Sequence, residues 1–215
     1  MKTDRILEIG AVRMEDGRAT DTFHALIHPH RTIPEPVTQL TGITQEMADS
    51  GEELCDVLPR FLAFANALPL LGHNLSYDFS FLKQAYVNEK QTFERSGIDT
   101  LRLARRFLPK EQRKNLEALR AYFSIDTGTV HRAVSDACAA ALVYERLRAD
   151  FYADDPAAFA PVPLRAAIKK QQPLTIPQKE QLQRLLSACT VDIAEIEPAS
   201  TSIDRLTRSE ASRLG

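Results

Sequence analysis

The stretch RILEIGAVRM, residues 5–14, decides the fold class of this chain. Its apolar positions form a nearly continuous run: Ile6, Leu7, Ile9, Ala11 and Val12. Such a run is typical of a strand that is buried on both faces of a sheet. Turn-forming residues follow at 15–18, and a second strand is predicted over 20–28. We therefore expect residues 5–28 to form an antiparallel hairpin at the start of the fold.

Helices and short strands alternate after the hairpin. Strands are predicted at 68–72 and 98–100, and helices at 36–40, after the capping box Ser50–Glu53, after an N-cap at Ser76, and over 100–107, 114–123 and 132–149. The inner face of the last helix is predicted to carry Val134, Ala137, Ala141 and Tyr144. This order of elements indicates an α/β fold with a mixed sheet.

The composition changes after residue 150, which predicts a domain boundary. Residues 1–150 are expected to form the main domain, and the proline-containing stretch 151–173 a linker. Residues 174–215 are expected to form a small helical unit with capping boxes at Thr175–Gln178 and Thr207–Glu210. The second of these helices has barely two turns before Gly215, so we expect the unit to be truncated.

The composition excludes several classes of protein. Hydrophobic residues make up 44% and charged residues 26%, an ordinary globular balance, and no apolar run reaches the roughly 20 residues of a membrane span. Three cysteines without a CxxC pair argue against a disulfide framework or a zinc site and favour a reducing, cytoplasmic location. The net charge of −2 provides no general basic field, so a nucleic-acid partner requires a local site or bound cations.

Two stretches place acidic and imidazole side chains at the ends of elements. In GHNLSYD, residues 72–78, Asp78 lies where a helix begins after a strand; as a structural feature it would only complement the helix dipole. In HRAVSDA, residues 131–137, an ideal helix would separate His131 and Asp136 by about 140°. They converge only if His131 lies on the loop before the helix, and an exposed loop histidine is the simpler interpretation.

These stretches together resemble the DEDDh (DnaQ-like) 3′–5′ exonuclease family, which includes exonuclease domains of the DNA polymerase III epsilon and PolC type. GHNLSYD is similar to the family's HNxxFD motif, with Tyr77 at the aromatic position, and HRAVSDA is similar to its HxAxxDA motif. LTGIT, residues 40–44, resembles the loop on the substrate side. The resemblance covers residues 4–148 and implies an RNase H-like mixed sheet flanked by helices.

The resemblance also implies a chemistry. The family hydrolyses 3′-terminal phosphodiesters to nucleoside 5′-monophosphates with two Mg²⁺ or Mn²⁺ ions. It assigns metal binding to Asp78 and Asp136 and the role of general base to His131. Asn74, Thr41, Gly42 and Ile43 would contact the substrate. The implied partners are DNA 3′ ends and a polymerase or repair assembly, with RNA left open as a substrate and no membrane involved.

One part of the family pattern is missing. Its first motif, a DxE pair on the central strand, would lie upstream of Arg5, where only four residues are present. Glu8 lies inside the second strand and is interpreted as a buried, hydrogen-bonded carboxylate rather than a metal ligand. The sequence therefore predicts a sheet whose central position is unoccupied or swapped, a natural protein that is longer, and a chain that as given is an inactive fragment. A non-catalytic nucleic-acid-binding or scaffold module, or an exoribonuclease of the same fold, is the alternative.

Overall fold

The computed structural model describes residues 5–128, 131–168 and 175–188. The chain divides into two compact units, residues 1–168 and 169–215. The elements of the first unit are β1 (Glu8–Glu15), β2 (Arg18–Leu26), α1 (Glu35–Thr41), α2 (Gln45–Asp49), α3 (Leu54–Ala65), β3 (Leu70–Gly72), α4 (Leu75–Asn88), β4 (Ser96–Asp99), α5 (Thr100–Phe107), α6 (Leu116–Tyr122), α7 (Ala133–Phe151), a 3-10 turn (Pro156–Phe159) and β5 (Val162–Pro163).

The second unit contains one described helix, α8 (Ile176–Ala188). The side chain of Gln178 reaches back to the backbone N–H of Thr175 at 3.2 Å, which is one half of the predicted capping box. The box at Thr207–Glu210 lies outside the described residues. None of the helices in the described ranges is both long and apolar enough to cross a membrane.

The strands form an α/β arrangement in two separate ladders. β1 and β2 pair antiparallel, as the hairpin prediction requires. β3 pairs parallel with β4, and β4 pairs antiparallel with β5. Within residues 5–128 and 131–168, no ladder joins β1 to β3. The expected break in the middle of the sheet is therefore present.

Helices cover the ladders and form three apolar clusters. The largest joins the β1–β2 hairpin to α3 and α4 and includes the fully buried Phe79, Tyr86 and Phe93. A second cluster joins β4 and α5 to α7 through Ile98, Leu103 and Val143. The third, around Ile33 and Ile43, packs α1 and α2 against the hairpin. The first two clusters pack α4 and α7 against the ladders.

Two local predictions are wrong. Ser50 does not start a helix, because it ends α2, a helix that was not predicted and that Thr44 caps through a bond from the Met47 N–H. Helix α3 begins at Leu54 instead, after Glu53. The N-cap of α4 is Asn74 rather than Ser76. Neither Glu53 nor Asn74 caps its helix with a side-chain hydrogen bond, so the capping pattern alone does not select the start.

The predicted inner face of α7 is partly right. The buried side chains are Ala139, Ala140, Ala141, Val143 and Leu147, and Tyr144 packs partly buried against the second apolar cluster, so Ala141 and Tyr144 were identified correctly. Val134 and Ala137 are half-buried, and Ala137 lines a groove that is open to water.

The predicted linker starts too early. Phe159 is 3% exposed and belongs to the second apolar cluster. The Leu164 N–H donates to the carbonyl of Arg95 at 2.8 Å, next to the pairing of β5 with β4. Residues 151–168 are thus part of the first unit. The separability of residues 174–215 stays a prediction.

Gly10 is required where β1 passes beneath the start of α7. A Cβ atom at this position would lie 2.4 Å from the backbone nitrogen of Val134 and 2.5 Å from the carbonyl carbon of Ala133. Because backbone atoms cannot move away as a flexible side chain can, Gly10→Ala is expected to destabilise the fold by at least about 1–3 kcal/mol. Urea unfolding of the full chain measures this loss, and an unchanged midpoint would contradict the close approach.

Candidate active site

A groove of about 550 Å³ runs between the two ladders. One wall is β1, with Glu8, Ile9 and Gly10, and the other is β3 with the turn that follows it. The first turns of α4 and α7 complete the lining and bring in Asp78 and Asp136. The two carboxylates that the sequence singled out therefore face the same groove.

Asp78 reaches the groove because β3 turns sharply into α4. Asn74 makes the turn in the left-handed conformation, with φ of 61°, and its N–H donates to Oδ1 of Asp99 at 2.9 Å. The surrounding walls raise the pKa of Asp78 to about 6, and the negative charges of Asp99 and Asp136 add to this rise. Asp78 itself remains exposed to water, so the raised pKa reflects a lined groove rather than a sealed cavity.

The ends of β3 and β4 are tied together behind Asp78. Nδ1 of His73 lies 2.9 Å from Oγ1 of the fully buried Thr100, which donates to the carbonyl of Gly72 at 3.2 Å. Oδ1 of Asp99 accepts from the N–H groups of both Asn74 and Leu101. His73 and Asp99 were not predicted as site residues. Their position after two neighbouring parallel strands was the available signal, since such strands end at one edge.

Asp136 lies in the first turn of α7 and carries an unsatisfied oxygen. Burial raises its pKa, while a hydrogen bond from the backbone N–H of His131 and the charges of His131 and Arg120 oppose the rise. Oδ1 of Asp136 is buried without a hydrogen-bond partner. Nη1 of Arg120 lies 3.9 Å from this oxygen and is likewise buried without a hydrogen-bond partner. A buried carboxylate oxygen without a partner is costly unless a cation or water satisfies it.

His131 lies on the loop before α7, as its convergence with Asp136 requires. Its backbone is left-handed, with φ of 60°, and its side chain is exposed. The backbone bond to Asp136 places it beside that carboxylate. His131 does not line the groove itself. The structure therefore brings Asp78 and Asp136 into one groove and His131 next to the second of them.

Glu8 fastens the start of α7 to β1. Its side chain is 7% exposed and accepts bonds from Nη2 of Arg132 at 2.7 Å, the N–H of Ala133 at 2.9 Å and Nε2 of His24 at 2.8 Å. Burial alone would raise the pKa of Glu8, but these bonds outweigh it and lower the pKa. The interpretation of Glu8 as a buried, hydrogen-bonded carboxylate is confirmed. Since Arg132 already balances its charge, Glu8 is not free to hold a metal ion.

The predicted substrate contacts divide into two groups. Asn74 is exposed and lines the groove, whereas Thr41, Gly42 and Ile43 do not line it. The side chain of Ile43 is 1% exposed in the third apolar cluster, so a contact of that side chain with substrate is wrong. The hydroxyl of Thr41 donates to the Val37 carbonyl at 2.8 Å and accepts from the Ile43 N–H, which closes the end of α1.

Comparison with known proteins agrees with this geometry. A family model described as Exonuclease matches residues 1–144. The chain is 36% identical over 140 residues to a DNA polymerase III PolC-type protein of Clostridium perfringens, an alignment that covers 65% of this chain and 10% of that protein. It is 31% identical over 148 residues to the DNA polymerase III subunit epsilon of Aquifex aeolicus, covering 68% of this chain and 73% of that protein. The chain thus spans about a tenth of the PolC-type relatives it matches.

Solved structures show the same fold at low identity. Exonuclease X in complex with 5′ overhanging duplex DNA has a TM-score of 0.58 at 23% identity and covers 69% of this chain and 86% of that one. The nuclease domain of 3′hExo, a DEDDh family member bound to rAMP, has a TM-score of 0.58 at 20% identity and covers 74% and 85%. These likenesses establish the RNase H-like architecture of the first unit.

Proposed function

The chain belongs to the exonuclease family, and on that premise we propose that its groove hydrolyses 3′-terminal phosphodiesters of DNA to nucleoside 5′-monophosphates. The observation that carries the proposal is the meeting of Asp78 and Asp136 in one groove, where burial raises the pKa of both carboxyl groups and the negative charges of Asp99 and Asp136 add to the rise at Asp78. Carboxylates gathered in a partly desolvated groove are suited to bind a cation.

The carboxylates fit a divalent ion, and the family depends on such ions. Asp78 and Asp136 would hold Mg²⁺ or Mn²⁺, because hard cations prefer carboxylate oxygens and the buried Oδ1 of Asp136 has no hydrogen-bond partner, with only Nη1 of Arg120 at 3.9 Å. A bound ion polarises a phosphoryl oxygen and offsets the charge that develops during hydrolysis. A two-ion site would need oxygen ligands beyond these, since Glu8 and Asp99 are already engaged in the part of the chain that the structure describes.

His131 is suited to take the proton of the attacking water. It is exposed, adjoins Asp136, and offers an imidazole ring nitrogen that can accept a proton. Glu8 and Arg132 act as positioning residues, because they hold the N-terminus of α7 against β1. The attacking water would thus lose its proton to a ring nitrogen of His131 as its oxygen bonds to phosphorus and the 3′-oxygen leaves.

Aromatic side chains beside Asp78 favour a nucleic acid as the substrate. Tyr77 is 48% exposed, its ring centroid lies 5.1 Å from that of Phe81, and both residues line the groove. A nucleobase can stack on such exposed rings without sequence preference. DNA is favoured over RNA because the polymerase III relatives act in DNA synthesis, and the 3′hExo structure bound to rAMP keeps RNA as the alternative.

The same relatives suggest the setting. We infer a cytoplasmic role in replication or repair, with a DNA polymerase or repair assembly as the partner. A non-catalytic nucleic-acid-binding or scaffold role is the second candidate. It is favoured by the small number of free carboxylates among the described groove residues.

The decisive experiment follows the fate of labelled single strands. The chain is incubated with Mg²⁺ or Mn²⁺ and either 3′-labelled or 5′-labelled DNA, with an RNA of the same sequence in parallel. We expect immediate release of labelled mononucleotide from the 3′ label and a shortening ladder from the 5′ label, both abolished by a chelator. DNA that is bound but never shortened would favour the non-catalytic role.

A further inference from the structure

Three metal-binding side chains meet at a place separate from the groove. They are His28 and His30, which follow β2, and Glu53, which precedes α3. One donor atom from each lies within 4.8 Å of the others. None of the three lines the groove between the ladders. The cluster is therefore distinct from the carboxylate pair Asp78 and Asp136.

Backbone bonds bring the two segments of the cluster together. The His28 N–H donates to the Glu52 carbonyl at 2.9 Å, and the Glu52 N–H donates to the Leu26 carbonyl at 2.9 Å. Gly51 permits this approach, because a Cβ atom there would lie 2.7 Å from the carbonyl carbon of Ile27. The donor groups are thus held by the main chain before any ligand binds, which lowers the cost of binding.

The side chains are already arranged toward one another. Nε2 of His30 lies 2.8 Å from Oε2 of Glu53, and Nδ1 of His28 accepts the His30 N–H at 3.1 Å. The two imidazole rings have centroids 4.3 Å apart. His30 holds this position in the left-handed region, with φ of 52°, which is uncommon for a residue with a side chain. A fourth group, Oδ1 of Asp49, lies 4.0 Å from Nε2 of His28.

The charges of the cluster differ from those of an ordinary ion pair. Glu8 also accepts from a histidine, His24 at 2.8 Å, but Arg132 balances its charge. Among the described residues no lysine or arginine forms an ion pair with Glu53 or Asp49. With neutral imidazoles the cluster carries two uncompensated carboxylates, so a divalent cation would balance it.

We propose that His28, His30 and Glu53 bind a divalent transition-metal ion of the zinc type, with Asp49 within reach as a fourth ligand. The ion replaces the proton shared by Nε2 of His30 and Oε2 of Glu53, and one ring nitrogen of His28 supplies the third donor. Imidazole and carboxylate donors suit Zn²⁺, whereas the carboxylates of the groove suit Mg²⁺. Bound there, the ion ties the end of β2 to the start of α3. The spacing of the cysteines, which disfavours a zinc site built on cysteine, does not bear on a site built on histidine and carboxylate ligands.

The test titrates the full chain with Co²⁺ alone and records its visible absorption, without nucleic acid. We expect ligand-field bands of a nitrogen- and oxygen-bound ion, which Zn²⁺ competes away. His30→Ala should weaken Co²⁺ binding by at least roughly 10–100-fold. His24→Ala is the matched control, because the Nε2 atom of His24 also lies 2.8 Å from a glutamate oxygen, that of Glu8. The Co²⁺ affinity of this variant should stay unchanged. The double variant Asp78→Asn with Asp136→Asn should also retain the bands, which separates this site from the groove.

A second variant keeps the outcome interpretable. Should His30→Ala fail to fold by circular dichroism, Glu53→Gln decides, since it preserves size and removes the charge. The absence of ligand-field bands in the unmodified chain would overturn the proposal. So would equal Co²⁺ affinity in the unmodified chain and in a folded ligand variant.

Discussion

Asp136→Asn is expected to lower the rate of 3′-end hydrolysis at least about 10²-fold, since an ion in such a site contributes several kcal/mol and each 1.36 kcal/mol is a factor of ten. The change preserves the shape of the side chain and the first turn of α7. It removes the negative charge from a carboxylate whose Oδ1 is buried with no hydrogen-bond partner. Metal affinity should fall together with the rate, because the same oxygen serves both.

The measurement uses single-turnover release of a 3′ label at several Mn²⁺ concentrations. Asp150→Asn is the matched control, because Asp150 is exposed near the other end of the same helix. Excess Mn²⁺ should restore part of the Asp136→Asn rate and leave the control unchanged. An Asp136→Asn protein that is as fast as the unmodified one would show that this carboxylate does not serve the reaction.

His131→Ala should depress turnover by roughly 10²–10⁴-fold, the usual size of a lost general base. The residue lies outside α7 and is exposed, so its removal should cost little stability. Its contact with Asp136 runs through its backbone N–H, which alanine retains. The loss should therefore appear in turnover, while DNA affinity and metal affinity stay close to those of the unmodified protein.

Added imidazole tests the assigned role directly. A free base that diffuses into the vacated space should raise the rate of His131→Ala and have no such effect on Asp136→Asn. Arg146→Ala, a change of an exposed residue on α7, serves as the control for general effects of substitution. Unchanged turnover in His131→Ala would remove this residue from the mechanism and leave the fold assignment intact.

The position of His131 and Asp136 depends on a contact that spans most of the domain. Glu8 accepts from Arg132 and from the Ala133 N–H, residues 124 and 125 positions away. The bond to Ala133 satisfies one of the free N–H groups at the start of α7. Gly10 allows β1 to approach the same turn, since a Cβ atom there would collide with backbone. One wall of the groove thus also orients the turn that carries His131 and Asp136.

Local features were predictable from sequence because they depend on neighbours along the chain. The hairpin of β1 and β2 follows from an apolar run and a turn, and α5 was predicted at 100–107 and begins and ends there. The motifs around Asp78 and Asp136 identified two of the three carboxylates that line the groove, since each lies in the first turn of a helix; the third is Glu8. Family resemblance supplied the chemistry that periodicity alone could not.

Only the tertiary structure decided which distant groups meet. No local pattern pairs Glu8 with Arg132 or His30 with Glu53, because these contacts depend on how strands and helices pack. The same holds for Ile43. It lies in a stretch that resembles the family's substrate-side loop, and nothing in that stretch indicates that its side chain is buried in the core. Helix capping and the apolar period depend on a few residues that are neighbours along the chain. Burial and charge balance depend on all the atoms that lie within a few ångströms, including those from distant parts of the chain. The sequence therefore determined the elements and the groove carboxylates, and packing decided what surrounds them.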